Sequence, residues 1–161
     1  MPASPTDTDL PPLNAMPVGL YRHYKGGWYE VLDTVRCSET LQGMTLYRAL
    51  YGEQGLWVRP AAMFAETGVF DGRTQPRFTA VDWRQCVPQD LAGAQALVAH
   101  VSRLLKAAGQ AHRPPPPEPT TCCGRGCNGC VWEGYHVALG HWRDDAVALL
   151  APPPSVVPGV A

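Results

Sequence analysis

The sequence has almost no net charge and no long apolar run. Lysine and arginine together number 13 and aspartate and glutamate 14, so the formal net charge is −1. Proteins that bind nucleic acid or membrane surfaces normally carry a basic excess, which this chain lacks. Nor does any apolar run reach the roughly 20 residues of a membrane-spanning helix. The composition therefore argues against membranes and nucleic acid as partners.

The chain also lacks several motifs that would name a location or a reaction. Its start, Met1 to Asp9, has neither the basic nor the apolar region of a signal peptide, which predicts a cytoplasmic protein in a reducing environment. It contains no Ser-His-Asp order, no paired-carboxylate spacing, no P-loop and no dinucleotide glycine motif. Whether the protein is an enzyme is thus left open.

Hydrophobic patterning predicts an α+β protein that begins with a small SH3-like antiparallel β-barrel. Apolar and polar residues alternate through 29–35 and 44–51, Leu56 to Arg59 forms a further short strand, and glycines punctuate the region as turns. Several short strands in so few residues are typical of small barrels. We predict the barrel over 18–83, preceded by a disordered tail over 1–17.

The second half of the chain predicts two helices joined by a proline-rich linker. An apolar stripe that includes Leu91, Ala94, Val98 and Val101 indicates a helix over 89–110. The linker spans 113–121 and contains four consecutive prolines, a composition typical of a semi-rigid spacer. A four-cysteine module follows over 122–150, with its helix starting near Val131, and residues 151–161 are predicted to be a disordered tail.

Four cysteines within nine residues form the densest chemical feature of the sequence: Cys122, Cys123, Cys127 and Cys130. Clustered thiolates in a reducing compartment favour zinc or an iron–sulfur cluster, and the sequence does not decide between them. Because Cys122 and Cys123 are adjacent, one of them could instead be a redox-active thiol. His136, on the following helix, is an alternative ligand or simply a half-buried helix residue.

Aromatic and cationic residues are interleaved in the predicted barrel and suggest a binding site for a flat or anionic ligand. Aromatic faces stack on rings, and arginines hold phosphates or carboxylates. The candidates are His23, Lys25, Tyr47, Arg48, Trp57, Arg59 and Arg77. In the alternative interpretation the aromatics fill the interior and the arginines pair with Glu30, Asp33 or Glu39. On the C-terminal helix, Trp132, Tyr135 and Trp142 share one face that could bind a partner.

Two segments resemble known families. The pieces Y-R-H-Y-K-G-G from Tyr21, Y-R-A-L-Y-G from Tyr47 and L-W-V-R-P from Leu56 resemble the bacterial domain of unknown function 1653 family. The run C-C-G-R-G-C-N-G-C-V-W-E-G-Y, with its proline-rich lead over 114–119, resembles the oxidoreductase-like domain family. The second resemblance implies that the four cysteines are the functional ones and that Trp132 and Tyr135 are their aromatic companions.

These observations support two hypotheses from different classes. In the first, the protein is a cytoplasmic binding or adaptor protein, in which the barrel binds a small anionic or aromatic ligand or a protein. The metal-bound cysteine module then docks a protein partner. In the second, it is a redox or electron-transfer accessory that uses an iron–sulfur cluster or the Cys122/Cys123 thiol pair. The two hypotheses differ in the metal and in the behaviour of the thiols.

Overall fold

The computed structural model describes residue 10, residues 12–121 and residues 131–152. The predicted tails lie largely outside these residues, and so do all four clustered cysteines. The described residues form strands and helices in this order: β1 (Gly19–His23), β2 (Trp28–Arg36), β3 (Gly43–Ala49), β4 (Leu56–Pro60), α1 (Ala61–Phe64), β5 (Thr67–Phe70), β6 (Arg73–Pro76), β7 (Phe78–Val81), α2 (Leu91–Ala107) and α3 (Val131–Leu150).

The main sheet has five antiparallel strands in the order β4-β3-β2-β1-β7, and β5 pairs with β6 in a separate hairpin. In register, Tyr21 of β1 lies opposite Tyr29 of β2, and Val31 of β2 lies opposite Tyr47 of β3. The register shifts between Val31 and Asp33, which places a bulge in β2. The alternation that predicted strands is confirmed, and the mixed α+β class with it.

The prediction of an SH3-like barrel is wrong, because the sheet is open. Within the described residues, β4 and β7 stand at opposite edges and do not pair with each other. A barrel buries one sheet face in its own interior. Here neighbouring residues on one strand enter different clusters: Leu20 joins the cluster that includes the helices, and Tyr21 joins an aromatic cluster. Each face therefore carries a core that is covered by packed elements, and closure is not needed to bury either core.

We call these the back face and the front face. On the back face, Leu20 and Trp28 pack against α2. On the front face, Tyr21 and Tyr47 pack against Phe64 of α1. Because strand residues alternate between faces, β1 and β2 each contribute to both clusters. A short strand such as β1 thus links the two cores.

Helix α2 lies where the sequence predicts a helix, but its buried surface is wider than the predicted stripe. Asp90 caps it by accepting a hydrogen bond from the Gly93 backbone N–H at 2.7 Å. A Cβ on Gly93 would lie 3.2 Å from the Trp28 ring, so the first turn sits tightly on the sheet. Leu97 and His100 are buried although the stripe omits them, because α2 packs on β1 and β2 and also on α3.

The described part of the linker lies against the two helices. His112 Nε2 is 3.0 Å from the Trp142 carbonyl oxygen, and the Trp142 indole N–H donates to the Arg113 carbonyl at 2.9 Å. Further along, the Gln95 amide donates to the Glu118 carboxylate at 2.9 Å. The segment between the two helices therefore forms hydrogen bonds with both α2 and α3. None of the helices described is both long and apolar enough to cross a membrane.

Candidate functional site

The front face carries a surface patch where aromatic rings and positive charges meet. Its centre is His23 at the end of β1, whose ring contacts Phe78 (4.8 Å between centroids) and Tyr29 (6.3 Å). Register places His23 opposite Phe78 on β7, which is why the two rings share this face. We call this surface the aromatic–cationic patch; it consists of His23, Lys25, Tyr29, Tyr51, Trp57, Arg59 and Arg77.

The environment of His23 disfavours its protonated form. Burial is the largest cause of the lowered pKa of His23, and the charges of Arg77, Arg59 and Lys25 lower it further. Its Nδ1 accepts a hydrogen bond from the Lys25 backbone N–H at 3.2 Å, which suits a neutral ring. Three of the cations that the sequence suggested for ligand binding therefore lie close enough to His23 to lower its pKa.

The three cations differ in how they are compensated. Arg77 lies over the Phe70 ring at 4.9 Å and is paired with Glu66, to which its Nε donates at 2.9 Å. Arg59 lies over the Phe78 ring at 5.9 Å, and Lys25 over the Tyr24 ring at 5.7 Å. Neither Arg59 nor Lys25 forms an ion pair with any described residue. The patch therefore has an uncompensated positive charge.

A hydroxyl pair borders the same patch. The Tyr29 and Tyr51 hydroxyl oxygens are 2.8 Å apart. Burial first, and then the hydrogen bond with Tyr51, raise the pKa of Tyr29, while the charge of Arg59 opposes the rise. The hydroxyl stays protonated at neutral pH, and since one O–H serves the pair, the other is left to donate to a ligand.

The remaining sequence-predicted barrel residues have different positions. Tyr47 lies beneath the patch, buried against Phe64, Tyr29 and Phe78. Trp57 is opposite Tyr47 in register and is 60% exposed, so its ring is available for stacking. Arg48 belongs to the back face, where its guanidinium donates to the Gln54 carbonyl at 2.7 Å. We therefore leave Arg48 out of the patch.

On the back face the structure brings together a polar cluster that the sequence did not single out. Glu30 accepts hydrogen bonds through both carboxylate oxygens, from His100 Nδ1 and from Arg103 Nε, each at 2.6 Å. Only 4% of Glu30 and 2% of His100 is exposed. Burial alone would raise the pKa of Glu30; the His100 hydrogen bond, with the charges of His100 and Arg103, outweighs it and lowers that pKa.

A sequence signal for this cluster did exist. His100 lies between Leu97 and Val101, on the buried side of α2, where a polar residue requires a partner. The strand alternation that placed Tyr29 and Val31 on one face placed Glu30 on the other. The sequence pattern could not show that α2 packs on β2. That packing brings together Glu30 and His100, which are 70 positions apart in the sequence.

The aromatic face predicted on α3 is directed inward. Tyr135 and Trp142 are buried in the cluster that α3 shares with α2, and Trp132 packs at its margin. His136 has a buried Nδ1 without a hydrogen-bond partner among the described residues, and its ring neighbours Trp132 and Tyr135. The predicted metal ligands at 122–130 lie outside the described residues, and the described part of the chain holds no other group of three metal-ligating side chains.

The described residues thus form an α+β protein in which an open antiparallel sheet, carrying the aromatic–cationic patch, is followed by two packed helices. Residues 19–80 match the family model described as a protein of unknown function (DUF1653), and residues 106–150 match the model described as oxidoreductase-like protein, N-terminal. A protein from Bordetella bronchiseptica, whose crystal structure is described as that of a protein belonging to DUF1653, is 35% identical in sequence to this chain. The TM-score between the two structures is 0.39, and the match covers 41% of this chain and 87% of that one. The chain belongs to the DUF1653 family and carries an oxidoreductase-like region after it. No curated protein matches it.

Proposed function

We propose that this protein is a ligand-binding protein whose aromatic–cationic patch binds a planar anionic molecule. The observation that carries the proposal is the charge of Arg59 and Lys25, which forms no ion pair with any described residue and lies over aromatic rings near His23. A cation without a carboxylate partner attracts an anion from solution, and the adjoining rings bind its planar part.

The shape of the patch narrows the class of ligand. Arg59 offers two parallel N–H donors to one carboxylate or phosphate, and the exposed Trp57 ring offers a stacking surface. The Tyr29 and Tyr51 pair supplies one further donor for a hydroxyl or carbonyl group. With only three cations, one of them already paired to Glu66, the patch suits a small molecule better than a nucleic-acid backbone.

The test uses adenosine monophosphate as the anionic probe and adenosine as its neutral match, by isothermal titration. We expect the monophosphate to bind and adenosine to bind at least tenfold more weakly. Arg59→Gln should weaken monophosphate binding by about tenfold, since one charged contact is lost. Arg73→Gln, an exposed arginine on the β5–β6 hairpin, is the matched control and should bind as wild type. Equal affinity in wild type and Arg59→Gln would contradict the proposal.

We further propose that Cys122, Cys123, Cys127 and Cys130 hold a metal. Four thiols in nine residues supply the soft donor set that zinc and iron–sulfur clusters prefer. In this proposal a zinc ion would have a structural role in the segment that precedes α3. An iron–sulfur cluster would instead support the alternative function of a redox or electron-transfer accessory.

Metal analysis and a visible spectrum after anaerobic purification separate these alternatives. One zinc per chain without colour supports the structural site, whereas iron with sulfide and a brown colour supports electron transfer. Either metal should be lost in Cys127→Ala and kept in Cys37→Ala, because Cys37 is a free thiol elsewhere in the fold. Metal-free protein would contradict both and leave the Cys122/Cys123 thiol pair as the redox candidate.

A protein partner for the oxidoreductase-like region also stays a prediction. Because Tyr135 and Trp142 are buried against α2, a partner would contact other side chains of α3. Val137, which is exposed, lies on the accessible side of the helix. We expect Val137→Asp to weaken such an interaction without unfolding the helix.

A further inference from the structure

A cavity lies on the back face of the sheet, on the opposite side from the aromatic–cationic patch. Its volume is about 810 Å³, within the range of about 300–1,000 Å³ that is usual for small-molecule sites. Most of the residues that line it are apolar. They come from the sheet, from the segment after β7 and from the ends of α2 and α3, and they include Leu20, Val81, Trp83, Leu104 and Leu150. Such a cavity suits an apolar molecule of moderate size.

Four acidic or basic residues also line this cavity: Asp82 and Arg84, whose side chains pair with each other at 3.7 Å, and Glu30 and His100. The Glu30 carboxylate accepts a hydrogen bond from Nδ1 of His100 at 2.6 Å, so Nε2 is the other polar atom of the ring. Arg103 Nε donates to the second carboxylate oxygen, so both oxygens of Glu30 are engaged. The imidazole is thus oriented from one side, and Nε2 is its remaining polar atom.

That remaining atom has no partner in the protein as described. His100 Nε2 is buried and forms no hydrogen bond with any described residue, while the ring edge packs near Trp83, 6.1 Å between centroids. A buried polar atom without a hydrogen-bond partner costs free energy, and native proteins rarely leave one unpaired. The polar group of a molecule in the cavity would satisfy it.

We propose that this cavity binds a small apolar molecule with a single hydroxyl group, which forms a hydrogen bond with Nε2 of His100. Its apolar body packs against Trp83, Leu104 and Leu150. The proposal is independent of the aromatic–cationic patch, because the two sites lie on opposite faces of the sheet and share no side chain.

The probe is 2-naphthol, which has an apolar ring system and one hydroxyl, compared with 2-methylnaphthalene, which has no hydrogen-bonding group. Binding is followed by calorimetry and by the Nε2 resonance of His100 in ¹⁵N-histidine-labelled protein. We expect 2-naphthol to bind and to shift that resonance, and 2-methylnaphthalene to bind at least tenfold more weakly. Absence of 2-naphthol binding, or equal binding of both probes with an unmoved Nε2 resonance, would overturn the proposal.

A cavity-filling variant tests the location of the site without changing Glu30, His100 or Arg103. Ala107 lines the cavity at the end of α2 and is itself exposed, so Ala107→Phe should fill the space while the protein stays folded. Ala62→Phe places the same bulk on an exposed position of α1, away from the cavity. We expect loss of 2-naphthol binding in the first and wild-type binding in the second. Retained binding in Ala107→Phe would contradict the site.

Discussion

The two faces of the sheet handle charge in opposite ways, although both are built on the same strands. On the front, Arg59 and Lys25 keep their charges at the surface and pair with no carboxylate in the described part of the chain. On the back, Glu30 is buried between His100 and Arg103, and its hydrogen bonds are satisfied. Tyr29 and Glu30 are neighbours in β2 and belong to these two different environments. The back-face charges join α2 to β2, whereas we propose that the front-face charges bind an external anion.

The largest expected effect comes from removing the carboxylate of the back-face cluster. Glu30→Ala leaves His100, which is buried, and Arg103, whose side chain is 31% exposed, without their shared partner. Loss of one member of a buried pair costs about 3–5 kcal/mol of unfolding free energy. Urea denaturation measures it, with exposed Glu39→Ala as the control, for which we expect a change within about 0.5 kcal/mol. A loss below about 1 kcal/mol would mean that the cluster contributes little to the fold.

A slightly smaller loss is expected from the apolar core that surrounds this cluster. Leu97 is fully buried in the cluster shared by the sheet, α2 and α3. Leu97→Ala removes its methyl groups and leaves a cavity, at a cost of about 2–5 kcal/mol. The exposed helix residue Leu91 provides the matched substitution, and Leu91→Ala should cost much less. Equal losses, measured by the same denaturation, would show that α2 packs differently from the structure.

Acid should weaken the back face through Glu30. Its pKa is lowered in the folded protein, so the stability it contributes is fully present above its ordinary value of 4.5 and is lost as pH falls through the lowered pKa. At neutral pH, Glu30→Gln should cost about 1.5–3 kcal/mol, the contribution of a hydrogen bond to a charged group. The difference in unfolding free energy between wild type and Glu30→Gln should therefore shrink below pH 4.5. A difference that stays constant in acid would contradict the lowered pKa.

The sequence predicted what depends on local pattern and missed what depends on packing between distant segments. Alternation of apolar and polar residues identified the main strands, and the predicted start of the second helix near Val131 agrees with the first residue of α3. Closure of the sheet could not be inferred in this way, because whether β4 meets β7 depends on what covers the faces. The same holds for the site. Rings and cations near one another in sequence were noticed, whereas Glu30 and His100, 70 residues apart, were not joined.

The smallest effect tests whether the cations of the front face act together as one patch. Because the charge of Arg59 lowers the pKa of His23, Arg59→Gln should raise that pKa, as followed by NMR titration of the His23 ring. Arg103→Gln removes an equal charge from the back face, where Glu30 compensates it, and should leave the His23 titration unchanged. If both substitutions moved the titration alike, or neither moved it, Arg59 would not belong to the environment of His23. The anion site would then have to be assigned to Lys25 and Arg77 alone.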